Sequence, residues 1–134
     1  MGVFVANKVI KLMIKKGIHI EGSKALILGI TFKENCPDVR NSQVIDIYNE
    51  LKQFGLIVDV FDPVADKREV KNQYGVELIN NLNPQKENFY YDAVVLAVPH
   101  SEFLTIDLSA VTAVKHVIFD TKAVLKRELV DGRL

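Results

Sequence analysis

The sequence has a single cysteine, Cys36, and that excludes an internal disulfide and a cysteine-rich zinc centre. Its three histidines, His19, His100 and His116, are far apart and make no metal-ligand spacing. Neither sign of charge is in excess, since 17 basic residues meet 17 acidic ones. The broad positive field of a non-specific nucleic-acid binder is therefore missing. Long apolar runs are missing too. The opening MGVFVANKVIKLMIKKG is broken by lysines and is too short between them to span a bilayer. It has no basic stretch before its apolar part and no small-residue cleavage site, so it does not read as a signal peptide. A cytoplasmic protein with no nucleic-acid or membrane partner is expected. There is no internal repeat and no low-complexity segment.

What is present suits one globular domain. The chain has 134 residues, 49% hydrophobic and 25% charged. That length buries roughly two-thirds of the unfolded surface, so no disulfide or metal staple is needed.

The organising stretch is residues 24–42, KALILGITFKENCPDVRNS. Its short apolar run at 25–28, closed by Gly29, reads as a fully buried strand of a parallel sheet. A loop carrying Lys33, Glu34, Asp38 and Arg40 follows. Asn41 or Ser42 can cap the amphipathic helix that starts near Gln43. A strand, a charged loop and a helix N-terminus together can hold an anion, because the helix end presents unpaired N–H groups and a positive dipole end. Lys33 and Arg40 add full charges, and a guanidinium suits phosphate oxygens.

The remaining elements follow in order. Residues 3–16 have a helical pattern with a wide apolar face, and Gly17 is a plausible C-cap. That face either packs on the domain's own sheet or belongs to the end of a longer helix, and the two accounts are compatible. After the helix at 43–54, a second strand spans 56–61 and stops at Asp62-Pro63. A charged surface helix at 65–74, a short third strand at 76–79 and a turn-rich or irregular connection to Tyr90 come next. A fourth strand is expected at 93–98, a short helix from Ser101 to Leu104, and a fifth strand at 117–119. A last helix begins near Val124, and 131–134 is tail. Strands alternating with helices imply a parallel sheet with right-handed crossovers. The expected order is 3-2-1-4-5, which places a ligand crevice between the first and fourth strands. Lys33, Arg40, His100 and Ser101 should then lie near one crevice, and Lys122, just after the fifth strand, can reach it.

Individual candidates have ordinary readings as well. Only Gly29 stands in the loop after the first strand, so the G-x-G-x-x-G dinucleotide fingerprint is absent. This sheet is thus a poor site for a whole NAD. Asp62 occupies the place of a ribose-binding acid, but without those glycines it reads as a cap or turn residue. Lys33 and Arg40 either serve a ligand or are surface charges paired with Glu34 and Asp38. Cys36 has no nameable base and is followed by Pro37, so it reads as a bystander. His100 is the best acid–base candidate among the histidines, although a turn or packing role is the favoured reading for it, while His19 and His116 read as structural.

The run GITFKENCPDVRNSQVIDIYNELKQFG followed by VDVFDPVAD resembles the C-terminal domain of the nucleotide-sugar 6-dehydrogenases. Phe32-Lys33, Arg40 with Asn41-Ser42, Asp62-Pro63, Leu96-Ala97-Val98 with Glu102-Phe103, and Phe119-Asp120 with Lys122 carry the likeness. It extends over nearly the whole chain, and the nearest subgroup is the UDP-N-acetylhexosamine enzymes. The resemblance implies an α/β, Rossmann-like three-layer sandwich with a parallel sheet of about five strands. It implies that 1–20 is a connecting helix from a middle domain and that 21–134 is a UDP-binding domain. In such enzymes a separate Rossmann domain carries NAD, and a cysteine in a glycine-rich loop does the chemistry, which oxidises the sugar's C6 alcohol to a carboxylate. Neither the fingerprint nor that loop is in this sequence, and Cys36 does not match the nucleophile. No catalytic residue is therefore assigned, and no metal ligand. Carried over, Phe32, Lys33 and Lys122 would contact the UDP-sugar substrate, with Lys33 near its phosphates. Arg40 would reach NAD on another domain. Lys122 stands where the UDP-glucose branch has arginine and so lacks the bidentate fork. The resemblance also implies that the full enzyme is a homo-oligomer. Two rival readings remain: a stand-alone nucleotide- or CoA-binding module, and a non-catalytic association domain that uses the apolar first helix.

Overall fold

The alternation of side chains in Lys24–Leu28 (β1) sends Ala25 and Ile27 to one face and Leu26 and Leu28 to the other, and all four are buried. A strand greasy on both sides must lie inside a sheet covered on both faces. The computed structural model, which describes residues 2–82 and 90–133, shows β1 near the middle of a five-stranded parallel sheet. The helices are α1 (Gly2–Lys15), α2 (Val44–Gln53) and α3 (Lys67–Tyr74). The other strands are β2 (Ile57–Phe61), β3 (Tyr91–Leu96), β4 (Thr112–Asp120) and β5 (Gly132–Arg133). They lie in the order β2-β1-β3-β4-β5.

The layering is unequal. All three α-helices add to one core cluster, through residues such as Val5, Val9, Met13, Ile47, Leu51 and Val70. The opposite face is covered by short 3-10 turns at Ser101–Thr105 and Leu108–Ala110, which bring in Phe103 and Leu108. The apolar first helix therefore packs on its own domain, with Val5, Ala6, Val9, Ile10 and Met13 buried. Gly2 is needed where α1 crosses α2, because a Cβ there would come within 2.4 Å of the Asp46 Cβ.

The parallel α/β class and the inner strand order are as expected, but the edges differ. Residues 76–79 form no strand. Val76 and Leu78 are buried, and the Ile79 N–H donates to the Val60 carbonyl at 2.9 Å, yet the segment builds no ladder. The fifth strand instead comes from residues taken as tail. Gly132–Arg133 pairs with Phe119 and Asp120. β4 also starts earlier than expected, at Thr112. Its first half carries Val114 fully exposed, which hides it from any burial pattern. The helix expected near Val124 is only a 3-10 turn at Arg127–Leu129. The expected connection through 83–89 lies outside the described residues.

Candidate nucleotide site

A sharp turn at Gly29 shapes the carboxyl edge. β1 ends at Gly29, whose φ is +96° and whose added Cβ would stand 2.6 Å from the Val98 side chain. Only glycine fits that conformation and that contact. The chain after β1 is thereby pressed against the chain after β3, and a cleft of about 290 Å³ opens beside them. This is the point where the strand order reverses, the usual place for a ligand in an open parallel sheet.

The lining is chemically simple. Phe32, Lys33 and Glu34 come from the loop after β1, and Thr121 and Lys122 from the loop after β4. Gly2, at the start of α1, and Gln43 and Val44, at the start of α2, also line the cleft. The N-terminus of α2 thus faces the space that two lysines border, and one carboxylate, Glu34, is present. That helix end supplies a positive dipole end and N–H donors. The α2 start is tied by Ser42, whose Oγ accepts the Val44 N–H at 3.2 Å. Such a set suits a phosphate or diphosphate.

Each lysine loop is held from beneath by a buried aspartate. Asp62, just after β2, accepts five hydrogen bonds. Its Oδ2 takes the Ile30 N–H at 2.7 Å, the Thr31 N–H at 3.3 Å and His100 Nε2 at 3.0 Å. Its Oδ1 takes the Val64 and Ala65 N–H groups at 2.8 and 2.9 Å. Burial pushes the Asp62 carboxyl up, but the His100 bond and the Ile30 and Ala65 amides outweigh it and hold the group below the ordinary value. Asp120, the last residue of β4, accepts from the N–H groups of Lys122, Val124 and Leu125 at 2.9, 2.8 and 2.7 Å.

The expected residues divide. Phe32, Lys33 and Lys122 line the cleft together, with the Phe32 ring 61% exposed. Arg40 does not join them. It lies on the surface beside Asp38, Glu69, Asn72 and Gln73, and its guanidinium binds the Asp38 carboxylate through two bonds of 3.1 Å. That pairing lowers the Asp38 pKa and raises that of Arg40. The cause is local: Phe32 N–H donates to the Asp38 carbonyl at 2.7 Å, closing the loop so that Arg40 emerges on the far side. His100 is fully buried and cannot meet a substrate, so its acid–base candidacy gives way to the packing role. Asp62 has the turn role, and more than that. Every bond it makes points into the protein, so no oxygen is left for a ribose. With Gly29 alone in the first turn, the chain's own residues do not fit a complete NAD. Sequence reasoning missed Thr31, Asn35 and the buried role of Asp120. Asn35 and Asp120 had readable signals: an asparagine in a tight loop, and an aspartate two residues before a candidate lysine.

A parallel α/β domain with a lysine-bordered cleft at its switch point has the architecture that many nucleotide-binding domains share. Residues 26–127 match the model for the UDP binding domain of the UDP-glucose/GDP-mannose dehydrogenase family, and the chain belongs to that family. It is 44% identical to the UDP-N-acetyl-D-glucosamine 6-dehydrogenase of Salmonella typhi, over 100% of this chain and 31% of the relative. It is 40% identical to protein CapL of Staphylococcus aureus, over 96% of this chain and 30% of the relative. Among solved structures it is similar to the UDP-N-acetyl-mannosamine dehydrogenase of S. aureus, with 26% identity, a TM-score of 0.70, and coverage of 98% of this chain and 29% of the other. The chain thus spans less than a third of the length of these relatives. Among the described residues no helix is long and apolar enough to cross a membrane.

Proposed function

We propose that this chain is the UDP-binding part of an NAD-dependent UDP-N-acetylhexosamine 6-dehydrogenase. The observation that carries the reading is the cleft at the switch point, where Lys33 and Lys122 meet the N-terminal end of α2. In the proposed complex Lys33 neutralises the diphosphate from one side and Lys122 from the other. Phe32 offers an exposed ring to the base or sugar. The relatives' names support a UDP-N-acetylhexosamine as the substrate.

The reaction removes four electrons from the sugar's C6 alcohol, consumes one water and reduces two NAD. This chain supplies none of the reacting groups. Its part is to hold and orient the nucleotide, so that binding energy far from C6 fixes the reacting carbon. NAD and the nucleophilic cysteine belong to other parts of the enzyme. Residues 1–20 form the connection to them, 21–134 form the UDP domain, and Arg40, outside the UDP cleft, faces the cofactor's side. The whole enzyme would work as a homo-oligomer in the cytoplasm.

The test is a calorimetric titration of this chain with UDP. Binding should be weak, because the chain supplies only part of the site. A charge-assisted hydrogen bond is worth roughly 1.5–3 kcal/mol, and exposure brings the Lys33 value to the low end. Lys33→Ala should therefore weaken UDP binding about tenfold. Equal affinity for parent and variant would refute the role of Lys33, and NADH formation by this chain alone would refute the division of labour.

A further inference from the structure

The buried ring of His100 takes no part in the chemistry above, yet its surroundings define its protonation. The Asn35 N–H donates to His100 Nδ1 at 2.9 Å, so Nδ1 carries no hydrogen. The Thr31 hydroxyl gives its one hydrogen to the Lys33 carbonyl at 3.0 Å. Thr31 Oγ1 can therefore only accept from His100 Nε2, which stands 3.1 Å away, and Asp62 Oδ2 accepts from the same atom at 3.0 Å. Every neighbour agrees on a neutral ring with its hydrogen on Nε2.

A second set of bonds runs the other way. Asn35 Oδ1 accepts from the Ser101 N–H at 3.1 Å and the Ser101 hydroxyl at 3.2 Å. Asn35 sits in the left-handed region at φ +59°, which lets its amide and its side chain point to the same place. The His100 ring also packs against Phe103, 5.3 Å between centroids. Asn35 and the His100-Ser101 pair thus form a reciprocal clasp. It joins the end of the Lys33 loop to the start of the turn after β3, and Thr31 anchors the front of the same loop through the same ring.

We propose that this clasp is a positioning device for Lys33: His100, as the neutral Nε2–H tautomer, and Asn35 together fix the 31–35 loop over the cleft. Lys122 is held separately, by Asp120, and owes nothing to the clasp. The inference rests on the UDP reading of the cleft, but one arm of its test does not need UDP.

That arm is a two-bond ¹H–¹⁵N correlation spectrum of the histidine rings in the whole chain at neutral pH. His100 should show the Nε2–H pattern. An Nδ1–H tautomer or a charged ring would overturn the clasp whether or not UDP binds. The second arm is a double-mutant cycle read by UDP titration, built on Asn35→Gly. Asn35 is exposed and glycine keeps its positive φ, so this variant preserves the buried ring and the fold. Asn35→Gly should cost about threefold in affinity, and added to Lys33→Ala it should cost little beyond the roughly tenfold loss of Lys33→Ala alone. Combined with Lys122→Ala, its effect should multiply in full. Equal, independent multiplication with both lysines would mean that the clasp stabilises the fold without aiming Lys33, and would end the proposal. Absence of any UDP binding by the parent chain would instead refute the proposed function, leaving the ring spectrum to decide the clasp.

Discussion

Asp62 follows β2 and Asp120 ends β4, so the two carboxylates flank the cleft at the same edge of the sheet, both buried from water. Each holds a loop that carries a lysine. The bonds of Asp120 all go to residues two to five positions further on, a local turn built on one side chain. Those of Asp62 include Ile30, Thr31 and His100, which lie 32, 31 and 38 residues away. One aspartate shapes the loop that follows it. The other ties three separate segments into one edge. Equal burial thus conceals unequal reach, and the energetic consequences should separate the two.

Removing the long-range node should have the larger effect. Asp62→Ala strands the Ile30, Thr31, Val64 and Ala65 amides without that acceptor in a dry site and leaves His100 Nε2 with Thr31 alone. Each buried donor left unpaired costs roughly 1–3 kcal/mol, and denaturant unfolding should show a loss larger than one such penalty. Acid should act in the same direction. The Asp62 pKa is lowered in the folded chain, so the ionised group contributes stability above its unfolded value of 3.8. That contribution disappears as pH falls through the lower folded value. The stability gap between the parent and Asp62→Asn should therefore narrow below pH ~4. A gap unchanged into strong acid would show that the carboxylate's charge contributes nothing.

Asp120→Ala should cost less, roughly 1–3 kcal/mol, because it releases only three neighbouring amides. The loop it holds is mostly exposed, so water can replace part of what is lost. Hydrogen exchange should quicken at Lys122, Val124 and Leu125 and leave Ile30 and Thr31 protected. Faster exchange at the β1 loop would erase the distinction between a local and a cross-sheet node.

This contrast also explains what was legible in the sequence. The strand at Lys24–Leu28, the helix at Val44–Gln53 and the crevice beside Lys33 and Lys122 follow from short-range signals: apolar runs, Gly29, and a helix start near Ser42. Asp62 was readable as a turn residue because Pro63 follows it. Its bonds to Ile30 and His100 were not, since nothing local records a partner more than 30 residues away. The same limit bears on His100, for which the packing role was the favoured reading but its partners were not legible. Its position after a strand was read correctly, but its burial depends on Phe103, Thr31 and Asn35 closing around it. The edge strand Gly132–Arg133 was hidden for another reason. Two residues have no period, and only the exposed edge of β4 gives them a place.

At the level of the ligand the effects become smaller. Lys122→Ala should weaken UDP binding by about threefold, roughly 0.7 kcal/mol, less than Lys33→Ala. Its exposed ammonium is a mobile point charge on a locally held loop. Were Lys122 the more important of the two in a UDP titration, the site would be centred on the Asp120 side, and the cross-sheet node would be structural alone.

Arg40 should give the smallest change of all, and its null result is informative. The guanidinium stands outside the cleft, fully solvated and chelated by Asp38. Arg40 is exposed and Asp38 is a half-buried surface residue, so rupture of the pair should leave the unfolding curve close to where it was. The Arg40 side chain does not line the cleft, and the loop is held at Phe32 by backbone and at Thr31 by Asp62 without it. Arg40→Ala should thus match the parent in both UDP affinity and stability when measured on this chain. In a longer dehydrogenase carrying the same loop, the proposed role of Arg40 toward NAD predicts that the substitution raises the NAD requirement and spares the UDP-sugar requirement. A loss of UDP affinity in the isolated chain would mean that Arg40 swings off Asp38 to meet the nucleotide. The two cations of the loop would then act on one ligand, and the division between a substrate-facing lysine and an outward-facing arginine would fail.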